Sequence, residues 1–266
     1  MKRRKFRKPY RIKRRKPVFK NRFFWLGILT FVIAATFFYL LFFSEIFQVK
    51  KVIITGEEKV SKEELKLLIE KKLENKIFFF KTKSIFLVNL NEIKRDILND
   101  WPQIAEVEIS RGFPDALNIV VIERVRVANW CQEDNCFLID NEGIIFEEVL
   151  PGIDLTKIID RQNRESFTLG ERVIEKTLLS QILETERKLK EDLKIQLQEV
   201  LIVSEERLNI RTSEGWEIYL NPQGDIEWQL TKLRATLEEE IPPEKRKNLE
   251  HIELRFGNFA PYKYQD

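Results

Sequence analysis

The 266-residue sequence contains few of the residues on which most catalytic and metal sites depend. It has one histidine, two cysteines, one methionine and nine glycines. One histidine and two cysteines do not make the four ligands of a structural zinc site. The sequence also lacks the G-x-S-x-G, HExxH and C-x-x-C motifs and any glycine-rich phosphate loop. These absences argue against the enzyme classes that short motifs reveal, and we expect neither a metal nor another cofactor.

The remaining candidates for chemistry are one imidazole and two runs of carboxylates. His251 falls on the polar face of the last predicted strand with no nucleophile or metal ligand nearby in sequence, so it is interpreted as a surface residue. Glu147–Glu148 and Glu238–Glu240 are typical of solvated charge runs. A glycosidase-like pair among them stays open, because only the fold decides the separation of two carboxylates. The balance favours binding over catalysis.

One long uncharged run, Phe23–Phe43, contrasts with the charged remainder of the chain. Fourteen of its 21 residues are Phe, Leu, Ile or Val, and a helix of this length crosses the hydrocarbon core of a bilayer. Trp25 and Tyr39 lie towards its two ends, where amphipathic rings prefer the interface. A cleaved signal peptide is the alternative, but the run is too long and FFSEIF lacks a small-x-small cleavage signature. The pattern predicts one transmembrane helix.

Charges on the two sides of this run predict its orientation. Residues 1–22 hold 13 of the 46 Lys and Arg residues and no acidic residue, whereas the rest of the chain has 33 basic and 43 acidic residues. Positive charge stays cytoplasmic, so residues 44–266 are expected to be extracytoplasmic. The basic tail could also be a nucleic-acid arm. Beside a membrane span, interaction with anionic lipid is the simpler interpretation, and no nucleic acid is expected.

The first part of the outer region predicts a β-α-α-β-β order. The elements, in order, are a strand Ile46–Thr55, a helix opened by the capping box Ser61–Glu64, a helix from Asn89 to Trp101, and strands Ala105–Ser110 and Ala116–Glu123. Glu123 and Arg124 close the last strand. They are interpreted as an exposed strand end, with an ion pair worth under about 1 kcal/mol, rather than as catalytic groups.

The second part predicts a mixed arrangement of strands with two helices. Its predicted elements are a hairpin turning at Asp140–Gly143, an irregular stretch over residues 150–170, a helix Glu171–Leu193, strands Gln196–Val203, Arg207–Thr212 and Trp216–Leu220, a helix from Asp225 to Pro242, and an alternating strand Leu249–Phe259. In that last strand Ile252, Leu254 and Phe256 share one face.

Several of these segments resemble the FtsQ/DivIB family of bacterial cell-division proteins. The residues that carry the resemblance are VIITG (Val52–Gly56), Val60-Ser61 with Glu64-Leu65, the IFFF patch (Ile77–Phe80), the long stretch Trp101–Ala128 with its Arg-x-x-Pro and Glu-Arg-x-x-x-Ala patterns, and FLIDNEGIIF (Phe137–Phe146). The basic tail and the single predicted span also fit.

The resemblance implies an α+β fold of four segments. These are a cytoplasmic basic tail (1–22), a transmembrane helix (23–43), a POTRA domain (46–124) of β-α-α-β-β order, and a mixed β-rich domain with two helices (125–266). It implies a non-enzymatic, single-pass protein of the cytoplasmic membrane at the division septum, which scaffolds partners and helps control septal peptidoglycan synthesis. A POTRA-bearing translocation or assembly factor and a membrane-anchored cell-wall enzyme are the alternatives.

A candidate binding site lies at the last predicted strand. Residues 251–259 contain neither Lys nor Pro, so an edge strand here is poorly protected against pairing with another chain. The resemblance implies that this strand and the segment after it receive a strand from an FtsB/DivIC-type partner, alongside an FtsL-type partner, and that other division proteins are partners as well. The predicted site consists of Ile252, Leu254, Arg255, Phe256, Asn258 and Phe259, with the apolar side chains in the core and the main chain binding.

The two cysteines, Cys131 and Cys136, enclose the short segment QEDN. An extracytoplasmic location permits a disulfide between them, which would close a hairpin loop. Two free thiols remain the alternative.

Overall fold

The computed structural model describes residues 22–77, 79–132, 135–150, 152, 155–161 and 167–265. The basic tail before Arg22, with its expected contact to anionic lipid, lies outside these residues. The chain forms two compact units. One contains the chain up to Ile53 with Lys66–Leu90 and Ser110–Asn118, and the other contains Ile54–Leu65, Asn91–Ile109 and the chain from Ile119.

The apolar run forms a single helix, α1 (Arg22–Phe43), as predicted. Its 22 residues give a length of about 33 Å at 1.5 Å per residue, which matches a hydrocarbon core about 30 Å thick. None of its residues is buried. The hydroxyls of Thr30 and Thr36 donate to carbonyls four residues earlier (2.9 Å each), so these two polar groups are satisfied within the helix. By length and composition, α1 is able to cross a membrane.

The POTRA region follows a short 3-10 helix, Glu45–Phe47. Its elements are β1 (Lys51–Thr55), α2 (Lys62–Lys72), β2 (Asn75–Ile77), β3 (Phe80–Thr82), α3 (Leu90–Asp100), β4 (Ile104–Gly112) and β5 (Ala116–Glu123). A three-stranded sheet has the order β1-β5-β4, and β2 and β3 form a separate hairpin. The β-α-α-β-β order is confirmed. The hairpin was missed, because three-residue strands are too short to show a period.

The remaining strands and helices form the second region. Its elements are β6 (Ala128–Gln132), β7 (Asn135–Ile139), β8 (Ile145–Glu148), β9 (Lys157–Asp160), α4 (Lys176–Asp192), β10 (Leu197–Ser204), β11 (Arg207–Thr212), β12 (Glu217–Leu220), α5 (Ile226–Glu239), a 3-10 helix Pro243–Asn248, β13 (Leu249–Glu253) and β14 (Tyr262–Tyr264). The described residues therefore show the α+β fold with a β-rich second region.

All nine strands of this region belong to one sheet of order β14-β13-β12-β11-β10-β9-β6-β7-β8. Parallel neighbours require a crossover connection, and the two helices supply two of them. The segment containing α4 joins the parallel strands β9 and β10, and the segment containing α5 joins the parallel strands β12 and β13. Strand β9 and the return strand β14 fall in segments for which the sequence predicted no strand.

A single hydrophobic cluster holds α4 and α5 against one face of the nine-stranded sheet. The helices contribute residues at helical spacing, and the strands contribute alternate residues such as Val200 and Ile202 on β10. Each fully buried Leu or Ile contributes about 1.5–3 kcal/mol through removal of its surface from water. On β11 and β13 the opposite face carries polar and charged side chains, including Arg207, Asn209 and Glu253.

The expectation that Glu123 and Arg124 form an exposed strand end is wrong. Arg124 forms an ion pair with Asp140 in which the two side chains are only 11% and 4% exposed, and its Nε donates to Pro102 O at 2.9 Å. The other oxygen of Asp140 accepts the N–H groups of Glu142 and Ile144. The pair therefore joins the end of β5 to the β7–β8 turn, and both residues are structural.

The carboxylate of Glu123 accepts the backbone N–H groups of Glu58, Lys59 and Val60 at 2.8–2.9 Å. Burial raises the pKa of Glu123, but these three donors outweigh it, so the pKa lies below the ordinary 4.5. These three N–H groups belong to the loop before α2 and have no acceptor within the helix, so the Glu123 carboxylate satisfies them. Stabilisation by Glu123 is therefore complete above pH 4.5 and is lost as the pH falls through the lowered pKa.

We expect Glu123→Gln to lower the free energy of unfolding by about 1 kcal/mol at neutral pH, since the site is partly open to water. As the pH falls below 4.5, the variant should also lose less stability than the native protein does. Urea unfolding of the detergent-solubilised chain at several pH values measures both effects. Glu108→Gln, at an exposed position of β4, is the matched control. Identical pH profiles for native protein and Glu123→Gln would contradict this assignment.

Gly143 lies at the β7–β8 turn with φ of +75°, and a Cβ there would stand 2.1 Å from the carbonyl oxygen of Ile174. Gly215 also has a positive φ, +94°, but a Cβ there meets no atom within 4 Å. We expect Gly215→Ala to cost about 1 kcal/mol from backbone strain alone. Gly143→Ala should cost clearly more, because it adds a backbone clash. Urea midpoints compare the two, and equal losses would show that the turn relaxes freely.

Candidate functional site: the edge strand of the nine-stranded sheet

The free end of the nine-stranded sheet is β14, not the strand that the sequence indicated. Strand β14 pairs antiparallel with β13, with Ile252 opposite Tyr262 and His251 opposite Lys263. No strand among the described residues pairs with the other side of β14. The expectation of one edge strand over 249–259 is therefore wrong, because β13 ends at Glu253 and is an inner strand.

A buried lysine on α5 turns the chain away after β13. Lys232 Nζ donates to the carbonyls of Leu254 at 2.7 Å and of Phe256 and Gly257 at 3.2 Å. Burial lowers the pKa of Lys232, and the carboxylate of Glu253 opposes part of that effect. Three carbonyls gathered on one ammonium form a turn, and the chain then returns as β14. The return is closed by Glu253 N–H donating to Pro261 O at 2.8 Å.

The backbone direction of β14 follows from these bonds. Pro261 O and the N–H of Gln265 both bond to the β13 segment. Bonding groups alternate along an antiparallel strand, so the intervening backbone groups of Tyr262 and Tyr264 point to the open side. Their rings are half-buried against the core, 5.6 Å apart in an edge-to-face contact. The edge thus presents main-chain donors and acceptors above an ordered pair of tyrosines.

The opposite end of the sheet is covered at the first residue of β8. The outer side of β8 bonds to the segment before α4, since Ile145 N–H donates to Glu171 O and Gly170 N–H donates to Ile145 O. A natural sheet protects an edge in this way against pairing with another chain. The contrast makes β14 the end of this sheet that is open to another strand.

Five of the six predicted site residues separate into two groups, and Arg255 is half-buried between them in the sequence. Ile252 and Leu254 are buried in the core, and Leu254 N–H bonds inside the sheet to Tyr219 O. Phe256, Asn258 and Phe259 are exposed on the turn, with Phe256 at 60% and Phe259 at 69%. The expected alternation of Phe256 with the buried pair is wrong, because the strand has already ended.

Arg255 is held in one conformation beside these exposed rings. Its guanidinium forms two bonds to Glu253, at 2.8 and 2.6 Å, and its centre lies 4.8 Å from the ring centroid of Phe256. Burial raises the pKa of the Glu253 carboxyl. The hydrogen bonds from the Arg255 side chain and N–H lower this pKa by more than burial raises it, so the pKa is below its ordinary value. The pair is consequently ionised at neutral pH, and its bidentate geometry orders the start of the turn.

Strand β14 was not predicted from the sequence. Tyr262, Lys263 and Tyr264 alternate aromatic and polar side chains, which is a strand signal, but three residues after a proline do not distinguish a strand from a loop. Lys263 pairs with Glu250 at 2.6 Å, so the one charge on the edge strand is matched within the sheet. Its presence therefore protects the edge less than an unmatched lysine does.

The single histidine lies on β13, next to the edge strand, and the two cysteines lie on β6 and β7. His251 stacks on Tyr219, with ring centroids 4.6 Å apart, and Arg207 covers the other side of Tyr219 at 4.4 Å. Cys131 and Cys136 lie opposite each other on β6 and β7, with Cα atoms 4.1 Å apart and the sulfurs bonded. The described residues contain no group of three or more His, Cys, Asp or Glu able to hold a metal ion.

Two family profiles match the chain. The profile for the POTRA domain, FtsQ-type, matches residues 47–124, and the profile for the cell division protein FtsQ/DivIB, C-terminal, matches residues 128–255. The second match ends before β14.

Curated relatives agree with these profiles. FtsQ of Rickettsia bellii is 35% identical over 98 residues, which are 36% of this chain and 33% of that protein. DivIB of Clostridium acetobutylicum is 35% identical over 80 residues, 29% of this chain and 32% of that protein. FtsQ of Anaeromyxobacter sp. is 28% identical over 162 residues, 59% of this chain and 54% of that protein. The matches span about a third to a half of these relatives. The two profiles together cover most of the chain after α1, and the chain belongs to the FtsQ/DivIB family of cell division proteins.

Proposed function

We propose that this chain is a non-enzymatic, single-pass membrane protein of the bacterial division machinery that captures a partner strand at β14. The observation that carries the proposal is the uncovered edge of β14, with the backbone groups of Tyr262 and Tyr264 turned outward. Membership of a division scaffold family supports it. We propose the predicted boundaries, 46–124 and 125–266, for the two extracytoplasmic domains.

Strand addition suits this edge for physical reasons. A partner strand that pairs with β14 gains main-chain hydrogen bonds, and side-chain contacts near the edge then select the partner. Because β14 has only three residues, few ladder bonds are available. We propose that the exposed turn supplies the remaining contacts through Arg255, Phe256, Asn258 and Phe259. Ile252 and Leu254 support the site from the core.

The proposed partners are membrane-anchored division proteins of the FtsB/DivIC and FtsL type. Anchoring in the same membrane keeps them near this chain and raises their effective concentration at the edge. A short edge strand is therefore sufficient for capture although it offers few bonds. By holding these partners at the septum, the chain would help control septal peptidoglycan synthesis.

We propose that the N-terminus is cytoplasmic and that residues 44–266 are extracytoplasmic. The 13 basic residues before Phe23 support this orientation through the positive-inside rule, and the same tail is proposed to contact anionic lipid. The Cys131–Cys136 bond also supports it, because disulfides persist outside the cytoplasm and are rare inside it.

The capture site is tested by comparing Tyr264→Pro with Tyr264→Ala in the full chain. Both variants lose the ring, but only proline removes the outward N–H. We expect Tyr264→Pro to weaken capture of the purified FtsB/DivIC-type partner about tenfold more than Tyr264→Ala, since a lost main-chain bond leaves a partner carbonyl unsatisfied. Titration by biolayer interferometry, with the chain held in lipid nanodiscs, measures the difference.

Proline at position 264 leaves the internal ladder intact, so the two variants should share a urea midpoint. Leu254→Pro is unsuitable for this test, because Leu254 N–H bonds inside the sheet and its loss unfolds the site. Equal affinities for Tyr264→Pro and Tyr264→Ala, with both folded, would remove β14 as the strand-addition site.

The orientation is tested by alkylation of the two native cysteines in growing cells. Cys131 and Cys136 should not react with a maleimide polymer after acid quenching, and both should react after reduction, which a gel shift detects. As the control, a cysteine introduced by Lys8→Cys should react only with membrane-permeant reagents. Two native thiols that react without reduction would place these residues in a reducing compartment.

A further inference from the structure

The β2–β3 hairpin is attached to the last turn of the membrane helix. Thr82 Oγ1 donates to Phe42 O at 2.5 Å, Ser84 Oγ donates to Leu41 O at 2.9 Å, and Gln48 Nε2 donates to Phe42 O at 3.2 Å. The last four carbonyls of a helix have no partner inside it, so these three side chains satisfy groups that α1 leaves open. The hairpin therefore has a defined position beside the end of α1.

Exposed aromatic rings surround this junction. Phe80 is 66% exposed, and its ring contacts that of Phe43, the last residue of α1, edge to face with 5.9 Å between centroids. Phe79, in the hairpin turn, is 97% exposed. A second group of rings lies in the same unit, with Phe86 lying 5.3 Å from Phe47 and 5.6 Å from Phe113. Exposed apolar side chains that lie together, as Phe79 and Phe80 do, mark an interaction site.

The hairpin has one apolar and one basic side. Ile77 lies opposite Phe80, and on the alternate side Lys76 lies opposite Lys81. Like charges directly across two strands are unfavourable, and Glu74 pairs with Lys81 at 3.1 Å but leaves a basic excess. Amphipathic elements that lie in the interface of a bilayer with anionic lipid have apolar and aromatic side chains on one side and Lys or Arg on the other. The hairpin has this composition.

We propose that this hairpin is a second membrane contact, in which Phe79 and Phe80 enter the leaflet from which α1 emerges and Lys76 and Lys81 face lipid phosphates. The proposal rests on α1 crossing the membrane. It commits to lipid because Phe80 touches the final residue of the 21-residue apolar run, which places the hairpin at the depth of the membrane surface. Two attachments, the helix and the hairpin, then fix the tilt of this unit against the bilayer.

The test uses the full chain at a low protein-to-lipid ratio in vesicles of equimolar phosphatidylcholine and phosphatidylglycerol. A spin label is placed through Phe79→Cys, and the matched control carries it through Phe256→Cys, another exposed phenylalanine. The native cysteines are bonded to each other and do not take the label. Power saturation compares collisions of the label with oxygen, which concentrates in lipid, and with a water-soluble nickel chelate.

We expect the ratio of oxygen to nickel collisions to be severalfold higher at position 79 than at position 256. Because the Phe79 ring makes almost no packing contact, its replacement should leave the urea midpoint unchanged. In the same labelled chain, Phe80→Ser should lower the ratio at position 79 by removing the neighbouring ring.

Two results would overturn the proposal. Nickel collisions at position 79 as frequent as at position 256 would place the hairpin in water. A label at position 79 shielded from both reagents would mean that another protein surface, and not lipid, covers the hairpin.

Discussion

The arrangement of this protein depends on which backbone groups of its large sheet are left unpaired. A sheet that does not close has a strand at each end, and the outer N–H and C=O groups of that strand lack a partner strand. The two edge strands of the nine-stranded sheet, β8 and β14, differ in how their outer backbone groups are bonded. Residues 170–173 bond to the outer side of β8 and the turn before it, whereas β14 receives no such cover from any described residue. The identity of the open strand depends on Lys232, since this buried ammonium gathers three carbonyls and turns the chain back after β13. Without that return, β13 itself would be the edge. A buried charge with three good acceptors therefore accompanies the turn that leaves the backbone groups of β14 at the edge of the sheet.

Two carboxylates illustrate how charge is used for structure in this chain. Glu123 satisfies three N–H groups of one loop, and Asp140 uses one oxygen for its own turn and the other for Arg124. Replacing one partner of the Arg124–Asp140 pair would leave the other charge buried and unpaired, which costs stability. The pair therefore constrains the structure even if its net contribution to the free energy of unfolding is small. The Arg124–Asp140 pair fixes the β7–β8 turn to the end of β5, and Glu123 fixes the loop before α2.

Much of the fold was predictable from local pattern. The membrane helix, the β-α-α-β-β order, the strands β10, β11 and β12 and the two later helices each have enough residues to show a period or a cap. The arrangement of the candidate site was predictable only in part. The burial of Ile252 and Leu254 follows from alternation, but Phe256 was assigned to the wrong face and β14 was missed. The β2–β3 hairpin was missed for the same reason, since strands of three residues contain too few positions for alternation to be distinguished from chance.

The long apolar helix, the class of fold and the family were predictable from the sequence, because they depend on length, composition and repeated local patterns that each segment carries alone. Tertiary structure decided where the sheet ends, which side chains of residues 252–259 are exposed, and that Glu123 and Arg124 are structural. Those outcomes depend on partners far apart in the chain: Lys232 on carbonyls 22 to 25 residues later, and Glu123 on N–H groups more than 60 residues earlier. No local pattern records such a pairing, because its energy exists only once the packed helices and strands have brought the two groups together.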